Sequence, residues 1–499
     1  MNLADIKLFV DQKWDNDLLP RLVEYIRVPA KSPAFDASWK EHGHLAAVVK
    51  MAQQWALEQP STIAGQQALQ AMKLEVIALD GKTPCIFFDI PATQGLGNDK
   101  TVLFYGHLDK QPEMTGWRAD LGPWTPLIED GKLYGRGSAD DGYALYACLT
   151  ALAALDQQSI ARPRCLGLIE TCEESGSPDL PDYLAHLQTR LGDVQLVVGL
   201  DSGCGNYDQL WVTTSLRGLV GGVLNVEILS EGVHSGSASG VVPSSFRIAR
   251  QLLNRIDDPA TGTVLLSELH ATIPPERIEQ AQAAGEILGD LVWKQFPWVS
   301  CDHAPSAHLA GARETLHAQP TSTDPVQCIL NRTWRPALSV TGAMGLPAIY
   351  SAGNVLRPNT KLKLSMRIPP TVNAQEATAA MKKAFEQNTP YNAKVSFDAD
   401  WGASGWNAPP EAQWLKRLVE QQSQSVYAKP AAYLGEGGTI PFMNMLGEKF
   451  PKAQFLITGV LGPQSNAHGP NEFLHIAYVK RLTVAVAGVV AGMAAELKC

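Results

Sequence analysis

The segment TVLFYGHLD (101–109) is a nearly continuous apolar run that ends on polar residues. Strands of this composition are buried on both faces, as they are in parallel sheets that helices cover. The segments RCLGLIETCEE (164–174) and QLVVGLD (195–201) repeat the pattern, and YALYACLTALAAL (143–155) has the apolar spacing of a helix. The alternation predicts an α/β fold with a largely parallel sheet, which a hairpin around Asp80-Gly81 makes mixed.

A different pattern begins near residue 213. Three segments alternate polar and apolar residues, as half-exposed strands do, and two have the apolar spacing of amphipathic helices. The strands are expected at 221–229, 361–369 and 393–401, and the helices at 243–256 and 374–387. Because the α/β pattern returns after about 405, we predict an α+β domain at 213–404 that is inserted into an α/β domain made of 1–212 and 405–499.

Composition restricts the functions that are open to the chain. With 499 residues it is long enough for two domains, and its formal net charge of −9 argues against nucleic acid or a membrane as a partner. The eight cysteines form no C-x-x-C pair and the first residues do not resemble a signal peptide, so we expect a cytoplasmic protein. The apolar run 482–495 is too short to span a bilayer and predicts a buried C-terminal helix.

Five polar clusters stand where predicted strands or loops of the α/β domain end. They contain two histidines and several carboxylates: His107 with Asp109, Asp140 with Asp141, Glu173 with Glu174, Asp201, and His468. Ligands of open α/β sheets collect at the carboxyl ends of the strands, so we expect these side chains to share one crevice. Imidazole and carboxylate ligands suit Zn²⁺, and one carboxylate shared by two ions suits a dinuclear site.

Each cluster alone has a simpler interpretation. A His-x-Asp is often a polar exit from a strand, Asp-Asp before a helix an N-cap, Glu-Glu a solvated turn, and His468 an ordinary loop histidine. The occurrence of all five in sheet order is what favours a metal site. Within that site Asp109 shares a strand face with His107, where it is placed to orient the imidazole.

The segments FYGHLDKQPE, LYGRGSADDG, ETCEESGS, LDSG and AHGPNE resemble, in order and spacing, the motifs of the M20 metallopeptidases. The resemblance spans almost the whole chain and is to the branch of cytosolic non-specific dipeptidases and carnosinases. It implies a zinc-exopeptidase-like catalytic domain at 1–212 and 405–499, and an inserted lid domain at 213–404 through which two chains form a homodimer. It also implies an enzyme that cleaves the peptide bond of dipeptides or short peptides with a water bridged by two zinc ions.

The same resemblance implies a role for each residue of these clusters. In the implied metal site Asp140 bridges two ions, of which His107 and Asp201 hold one and Glu174 and His468 hold the other. Asp109 then supports His107, and Glu173 serves as the general base that takes a proton from water and returns it to the leaving amine. The ions are expected to be Zn²⁺, with Mn²⁺ and Co²⁺ as alternatives. The Asp140–Asp141 peptide bond is expected to be cis.

Four residues outside these clusters resemble positions of the family that contact the substrate. His234, in GVHSGSASG, is implied to reach the active site of the partner subunit and to steady the oxyanion. Asn354 and Arg367 are implied to hold the backbone or terminal carboxylate of the substrate, for which an arginine fork is suited, and Thr439, in GEGGTIP, is implied to contact the substrate. On its strand pattern alone, Arg367 has a second interpretation, a cross-strand ion pair at the surface.

The chain departs from the family pattern at two places. Gly142 stands where the lysine of Asp-Asp-Lys-Gly is usual, and Ala403 lies near the position of a lid histidine. Neither change removes an implied metal ligand, so both bear on substrate choice. The segment CDHAPSAH (301–308) has metal-binding residue types but matches no ligand of the family, and we expect it to be ordinary surface.

Other functions stay open as alternatives. An N-acyl amino acid deacylase of the acetylornithine or succinyl-diaminopimelate type would use the same five ligands, so the partner molecule is expected to be a small peptide or an N-acyl amino acid. A metal-free binding or scaffold protein on this fold is disfavoured by the intact ligand set. A nucleotide-binding protein is disfavoured because the glycines of LYGRGSADDG form no known phosphate-binding motif.

Overall fold

The structure is a computed structural model that describes residues 2–62, 71–93, 95–301 and 316–497. Contacts within the chain divide it into two units. The first unit consists of Met1–Thr214, Ala408–Leu434 and Met445–Cys499, and the second of Ser215–Asn407 and Gly435–Asn444. The segment CDHAPSAH lies, after Cys301, outside the described residues, so the expectation for it stays a prediction.

The strands and helices are numbered in chain order. The strands are β1 (Lys73–Ile77), β2 (Cys85–Ile90), β3 (Lys100–His107), β4 (Leu127–Glu129), β5 (Lys132–Tyr134), β6 (Arg164–Glu170), β7 (Asp193–Gly199), β8 (Trp211–Leu216), β9 (Gly218–Glu227), β10 (Val233–His234), β11 (Ser300–Cys301), β12 (Leu316–His317), β13 (Ala337–Met344), β14 (Val355–Leu356), β15 (Asn359–Ile368), β16 (Lys394–Ala403), β17 (Trp406–Asn407), β18 (Ala432–Glu436), β19 (Gln454–Ile457) and β20 (Phe473–His475). The α-helices are α1 (Leu3–Lys13), α2 (Leu19–Ile26), α3 (Trp39–His42), α4 (His44–Thr62), α5 (Ala144–Gln157), α6 (Leu180–His186), α7 (Ser235–Ala238), α8 (Ser245–Leu253), α9 (Pro275–Leu288), α10 (Leu291–Lys294), α11 (Pro325–Thr333), α12 (Ala374–Glu386), α13 (Gln413–Tyr427), α14 (Pro441–Lys449) and α15 (Ile476–Glu496).

A six-stranded sheet forms the centre of the first unit, in the order β1-β2-β6-β3-β7-β19. The neighbours β6, β3, β7 and β19 are parallel, and β1 and β2 form an antiparallel hairpin at one edge. In β3 only the first residue, Lys100, is exposed, because both faces of the strand are covered. The predicted α/β fold with a mixed, largely parallel sheet is confirmed, as is the hairpin around Asp80-Gly81.

The C-terminal helix α15 is part of the core of the first unit. It packs against α1, α5 and α13. Among the described residues it is the one helix long and apolar enough to cross a membrane by length and composition, and 67% of that apolar window is buried inside the protein. The buried helix predicted at 482–495 is confirmed, and it begins earlier than predicted, at Ile476.

The second unit contains a four-stranded antiparallel sheet in the order β13-β15-β9-β16. Burial alternates residue by residue along β15, because α8 and α12 cover one face of the sheet. Its buried residues Leu364 and Met366 join the core cluster of the unit, and Arg367 stands on the opposite face. The strands and helices predicted from alternation are found, whereas the edge strand β13 was not predicted.

Candidate metal centre

Two groups of potential metal ligands lie beyond the carboxyl ends of the parallel strands of the first unit. The groups are His107, Asp140 and Asp201, and Asp140, Glu174 and His468, with the ligand atoms of each group within 4.8 Å of one another. Asp140 belongs to both, since its Oδ1 is 3.4 Å from Nε2 of His107 and its Oδ2 is 3.1 Å from Nε2 of His468. The structure therefore brings together all five residues that the sequence predicted as metal ligands.

The imidazole of His107 is held by the backbone just after β3. Its Nδ1 lies 3.0 Å from the carbonyl oxygen of Asp109, to which it donates, and this leaves Nε2 as the nitrogen with a lone pair. Nε2 is buried without a hydrogen-bond partner among the described residues, and it lies 3.7 Å from Oδ2 of Asp201. A buried nitrogen of this kind, facing carboxylates, fits a metal ligand better than a hydrogen-bonding group.

The carboxylate of Asp109 orients the two adjacent glutamates. Its Oδ1 accepts the backbone N–H of Glu173 at 3.1 Å, and its Oδ2 accepts that of Glu174 at 3.0 Å. The contact with the imidazole is looser, because Nδ1 of His107 is 3.4 Å from Oδ1. Asp109 therefore links the end of β3 to the short helical turn Glu173–Ser175 that follows β6.

Glu173 and Glu174 face different neighbours. Oε2 of Glu174 lies 3.3 Å from Nε2 of His468 and accepts a hydrogen bond from Nε2 of Gln111 at 2.5 Å. Oε1 of Glu174 is buried without a hydrogen-bond partner among the described residues. Oε2 of Glu173 is 4.0 Å from Nε2 of His107, and Glu173 belongs to neither ligand group. Gln111 had no role in the sequence-based prediction.

Burial of so many carboxylates perturbs their protonation. Burial, followed by repulsion from Asp140, raises the pKa of Glu174 to about 8, and burial raises the pKa of Asp201 to about 7. Burial works against protonation of His468, but Glu174 and Asp140 raise its pKa to about 9. Burial also opposes ionisation of Asp140, yet the neighbouring imidazoles of His107 and His468 hold its pKa well below the usual value.

The raised pKa values reflect burial together with an excess of carboxylates over imidazoles in the site. Two divalent cations would remove that excess, and the nitrogen and carboxylate donors present are those that Zn²⁺ prefers. The unpaired buried atoms, Nε2 of His107 and Oε1 of Glu174, lie one in each ligand group. The residues therefore fit two divalent metal ions.

The loops that carry Asp140 and His468 are joined by a buried ion pair. Nη1 of Arg136 lies 2.7 Å from Oε2 of Glu472, and both side chains are almost fully buried. Nη2 of Arg136 donates to the carbonyl oxygens of His468 and Gly469 at 3.1 and 2.9 Å, and the other oxygen of Glu472 accepts the N–H of Ala139. Both residues lie in motifs recognised in the sequence, but their pairing was not predicted. The Asp140–Asp141 peptide bond is cis, as the resemblance implies.

The four predicted substrate-contacting residues lie in the second unit as two pairs. His234 is exposed on β10, which pairs with β14, and the N–H of the following Ser235 donates to the carbonyl oxygen of Asn354 at 2.9 Å. Nη1 of Arg367 donates to Oγ1 of Thr439 at 2.8 Å. Among the described residues no carboxylate lies within 4.0 Å of the Arg367 guanidinium, so the alternative interpretation as a cross-strand ion pair is wrong.

Comparisons with known proteins agree with this fold. The chain is 24% identical to the cysteinylglycine-S-conjugate dipeptidase of Corynebacterium striatum over 408 residues, which cover 80% of this chain and 82% of that one. It is 25% identical to the Beta-Ala-His dipeptidase of Homo sapiens over 375 residues, 72% of this chain and 69% of that one. The solved structure of the dipeptidase Dug1p from Saccharomyces cerevisiae has a TM-score of 0.72 at 20% identity, covering 99% of each chain.

A protein-family model also matches most of the chain. The model of peptidase family M20/M25/M40 matches residues 103–491, a span that includes every potential metal ligand described above. The whole second unit lies within the matched span. The chain belongs to peptidase family M20/M25/M40.

Proposed function

We propose that this protein is a metal-dependent hydrolase that cleaves the peptide bond of dipeptides or short peptides. One observation carries the proposal: two ligand groups share Asp140, and the buried carboxylate of Glu173 lies beside them without belonging to either. The names of the relatives support it, because the Corynebacterium striatum and human proteins are both dipeptidases and align over most of their own length.

The metal ions are proposed to be Zn²⁺, with Mn²⁺ and Co²⁺ as alternatives. His107 and Asp201 would hold one ion, Glu174 and His468 the other, and Asp140 both. When bound, two such ions polarise the scissile carbonyl group and lower the pKa of a water molecule. The histidine ligands would bind as neutral imidazoles, for which the Nδ1 contact of His107 with the carbonyl oxygen of Asp109 already selects the tautomer.

Glu173 is the proposed carrier of the proton. Its position is fixed by the hydrogen bond from its own N–H to Asp109, and burial, with repulsion from Asp201, raises the pKa of its carboxyl group well above the usual value. A carboxylate of raised pKa accepts a proton from the attacking water at neutral pH. Glu173 then delivers that proton to the amine nitrogen as the C–N bond breaks.

The second unit is proposed to recognise the substrate and to form a homodimer. In this scheme a catalytic domain consists of 1–212 and 405–499, and 213–404 is the lid domain. Arg367 and Thr439 bind the terminal carboxylate of the substrate and Asn354 its backbone, while His234 acts in the active site of the partner subunit. The exposure of His234 supports a role outside its own unit, since a buried histidine would not be available to a second chain.

The protein is proposed to be cytoplasmic and to have neither nucleic acid nor a membrane as a partner. The net charge of −9 supports this proposal, because a negatively charged protein is repelled by both. Free thiols support it as well, since such thiols persist in a reducing compartment. Described cysteines with free thiols include Cys85, Cys148, Cys165, Cys172 and Cys328.

The alternative activity is the deacylation of N-acyl amino acids. It requires the same metal ligands and the same proton transfer by Glu173, so the metal centre favours neither reaction. The two relatives named above align over most of the chain and are dipeptidases, and this is why peptide hydrolysis is proposed first.

A substrate panel tests the proposal. The purified protein, reconstituted with Zn²⁺, Mn²⁺ or Co²⁺, would be assayed with dipeptides and with N-acetyl and N-succinyl amino acids. We expect hydrolysis of dipeptides that is abolished by a chelator and restored by metal. If only N-acyl amino acids are hydrolysed, the dipeptidase proposal is wrong and the deacylase alternative is correct. A protein that binds no metal after reconstitution would contradict both and favour a binding protein.

A further inference from the structure

Three arginines of the second unit contact one short loop, Gly437–Thr439. Nε of Arg217 donates to the carbonyl oxygen of Gly437 at 3.2 Å, and Nη1 of Arg367 donates to Oγ1 of Thr439 at 2.8 Å. Arg332, in the last turn of α11, packs so closely against Gly437 that a Cβ placed there would lie 3.0 Å from its Cγ. We call Arg217, Arg332 and Arg367 the arginine cluster.

The positive charge of the arginine cluster is not neutralised within the described residues. No described carboxylate lies within 4.0 Å of any of the three guanidinium groups. The carboxylate of Glu436 is close enough to interact electrostatically with Arg332, but it does not form an ion pair with it. Three cations and one carboxylate leave an excess of two positive charges.

The three arginines of the arginine cluster repel one another. Burial, followed by repulsion from Arg367 and Arg332, lowers the pKa of Arg217 to about 10. The Nε atom of Arg332 is buried and has no hydrogen-bond acceptor among the described residues. Buried donors and cations without partners are costly, so an anion that fills this place would be bound favourably.

The three arginines are not equivalent. Arg217 is buried, and its Nε and Nη1 donate to the carbonyl oxygens of Gly437, Asn331 and Arg335, so it is occupied in holding the loop. Arg367 and Arg332 are half-buried, in contrast to Arg217. Arg367 with Thr439 is the pair already proposed to bind the terminal carboxylate of the substrate. Arg332 has no ion-pair partner among the described residues, so its guanidinium can bind a second anionic group.

We propose that Arg332 forms a second anion subsite beside Arg367, and that this enzyme prefers dipeptides whose C-terminal residue carries an acidic side chain. The inference rests on the proposed function, of which it specifies the substrate class. In this arrangement Arg367 and Thr439 bind the terminal carboxylate, and Arg332 binds the side-chain carboxylate of Asp or Glu. Such a substrate brings two negative charges, which match the excess of the arginine cluster.

Matched pairs of substrates test the subsite. The kcat/KM of the metal-loaded enzyme would be measured for Ala-Glu against Ala-Gln and for Ala-Asp against Ala-Asn, which differ by one charged group. We expect the acidic member of a pair to be preferred by about tenfold, mainly through KM, because a charged side chain binds a guanidinium more strongly than an amide does. In Arg332→Gln the preference is expected to fall to about one.

Arg335→Gln is the matched control. The guanidinium of Arg335 lies just beyond the same helix but already donates to Oδ1 of Asn331 and Oε1 of Gln327, so it has no role in the second anion subsite. The Arg335→Gln enzyme is expected to prefer the acidic substrates as strongly as the wild-type enzyme does. Equal kcat/KM for the acidic and amide substrates in the wild-type enzyme, or an unchanged preference in Arg332→Gln, would overturn the inference.

Two further measurements distinguish a failure of this inference from a failure of the proposed function. N-acetyl-Glu and N-acetyl-Gln would be assayed in parallel, and binding of free L-glutamate and L-glutamine would be measured by calorimetry, which needs no turnover. If only the N-acetyl compounds are hydrolysed, with N-acetyl-Glu preferred, the dipeptidase proposal fails and the second anion subsite stands. If dipeptides are hydrolysed but glutamate binds no more tightly than glutamine, the second anion subsite fails and the dipeptidase proposal stands.

Discussion

Glu173 and Glu174 are neighbours in the chain, yet their carboxylates have different surroundings. Glu174 lies 3.3 Å from His468 and belongs to a ligand group, whereas Glu173 lies beside the two groups and belongs to neither. Asp109 fixes this division by accepting the backbone N–H of both residues. A turn held in this way directs two consecutive side chains to different tasks.

Replacement of Glu173 by glutamine tests this division. Glu173→Gln should retain both metal ions, because the residue is outside the ligand groups, and should lower kcat by roughly 10²–10⁴, the usual contribution of a general base. The adjacent change Glu174→Gln is the control and should lower the metal content. Metal content and kcat measured on both variants decide the question, and near-normal turnover by Glu173→Gln would exclude it as the base.

Gly142, for which the resemblance implies a lysine, is closely packed in this chain. A Cβ at this position would overlap the ring of Tyr25 and would lie 2.7 Å from the carbonyl oxygen of Gly137. The neighbouring lysine of this chain is Lys110, whose buried Nζ donates to the carbonyl oxygens of Tyr25 and Val28 and lies 3.8 Å from the centre of the Tyr25 ring. A longer side chain at 142 would therefore displace Tyr25.

We expect Gly142→Ala to reduce the free energy of unfolding by about 1–3 kcal/mol, the usual cost of overpacking. Gly353→Ala is the control, because nothing lies within 4 Å of a Cβ placed at Gly353. Chemical denaturation of both variants measures the difference. A loss of stability that is equal in the two variants would contradict the packing argument.

The residues of the metal centre could be predicted because histidines and carboxylates recur in the sequence at the ends of predicted strands and loops. His107, Asp140 and Asp201 each follow an apolar or glycine-rich segment, and this marks them without any structure. Gln111 and Arg332 carry no such mark. Their importance depends on contacts with Glu174 and Gly437, residues far away in the chain, and no local pattern encodes such contacts.

At the level of elements, two loops must be held together for the metal ligands to meet. Arg136 precedes Asp140 in one loop, and Glu472 follows His468 in the other. Their buried ion pair, together with the bonds from Arg136 to the carbonyl oxygens of the second loop, fixes one loop on the other. The distance from Asp140 to His468 therefore depends on residues that touch neither a metal ion nor the substrate.

Arg136→Met should weaken metal binding at the group that contains His468. We expect a loss of affinity of about 10–100-fold for one of the two ions, as is usual when a residue that orients a ligand is removed. Titration of the metal-free protein with Zn²⁺ would then show one tight site instead of two.

Arg162→Met is the control for stability, because Arg162 forms a similar buried ion pair with Asp156 at 3.0 Å. Asp156 and Arg162 flank the connection from α5 to β6 and belong to neither ligand group. Both variants remove the arginine from a buried ion pair and should lose stability. Two tight sites in Arg136→Met, or one in Arg162→Met, would contradict the role of the Arg136–Glu472 pair.

The prediction of elements succeeded where at least one face of each element is buried. The strands β3, β6 and β7 are almost continuously apolar, and β9 and β15 alternate, so both kinds could be read from the sequence. The strand β13 could not. It pairs with β15 on one side only and is mostly exposed, so its side chains have no burial pattern that selection for packing would impose.

At the scale of the whole molecule, the insertion of one domain into another was predicted from the change in strand pattern near 213 and 405. The contacts of the structure also place Gly435–Asn444 in the second unit, although this segment lies beyond 405 in the chain. Its grouping depends on the packing of the loop against Arg217 and Arg332, which the strand pattern does not record.

The proposed homodimer can be tested with two inactive variants. His234→Ala and Glu173→Gln are each expected to be inactive, the first because it lacks the residue that acts in the partner's active site. In a mixed dimer, the chain that retains Glu173 has a partner that retains His234, so one of the two active sites is complete. After exchange of subunits in equal amounts half of the dimers are mixed, and we expect about a quarter of the wild-type activity.

The control for subunit mixing is a chain that carries both changes. Mixed with His234→Ala, it offers no intact His234 to any chain that retains Glu173, so no activity is expected. If His234 acted within its own chain, the two single variants would also give none after exchange, because every active site would then lack one of the two residues. Activity restored by the single variants alone is therefore explained only by a histidine that crosses between subunits, which in turn requires the dimer to be the active form.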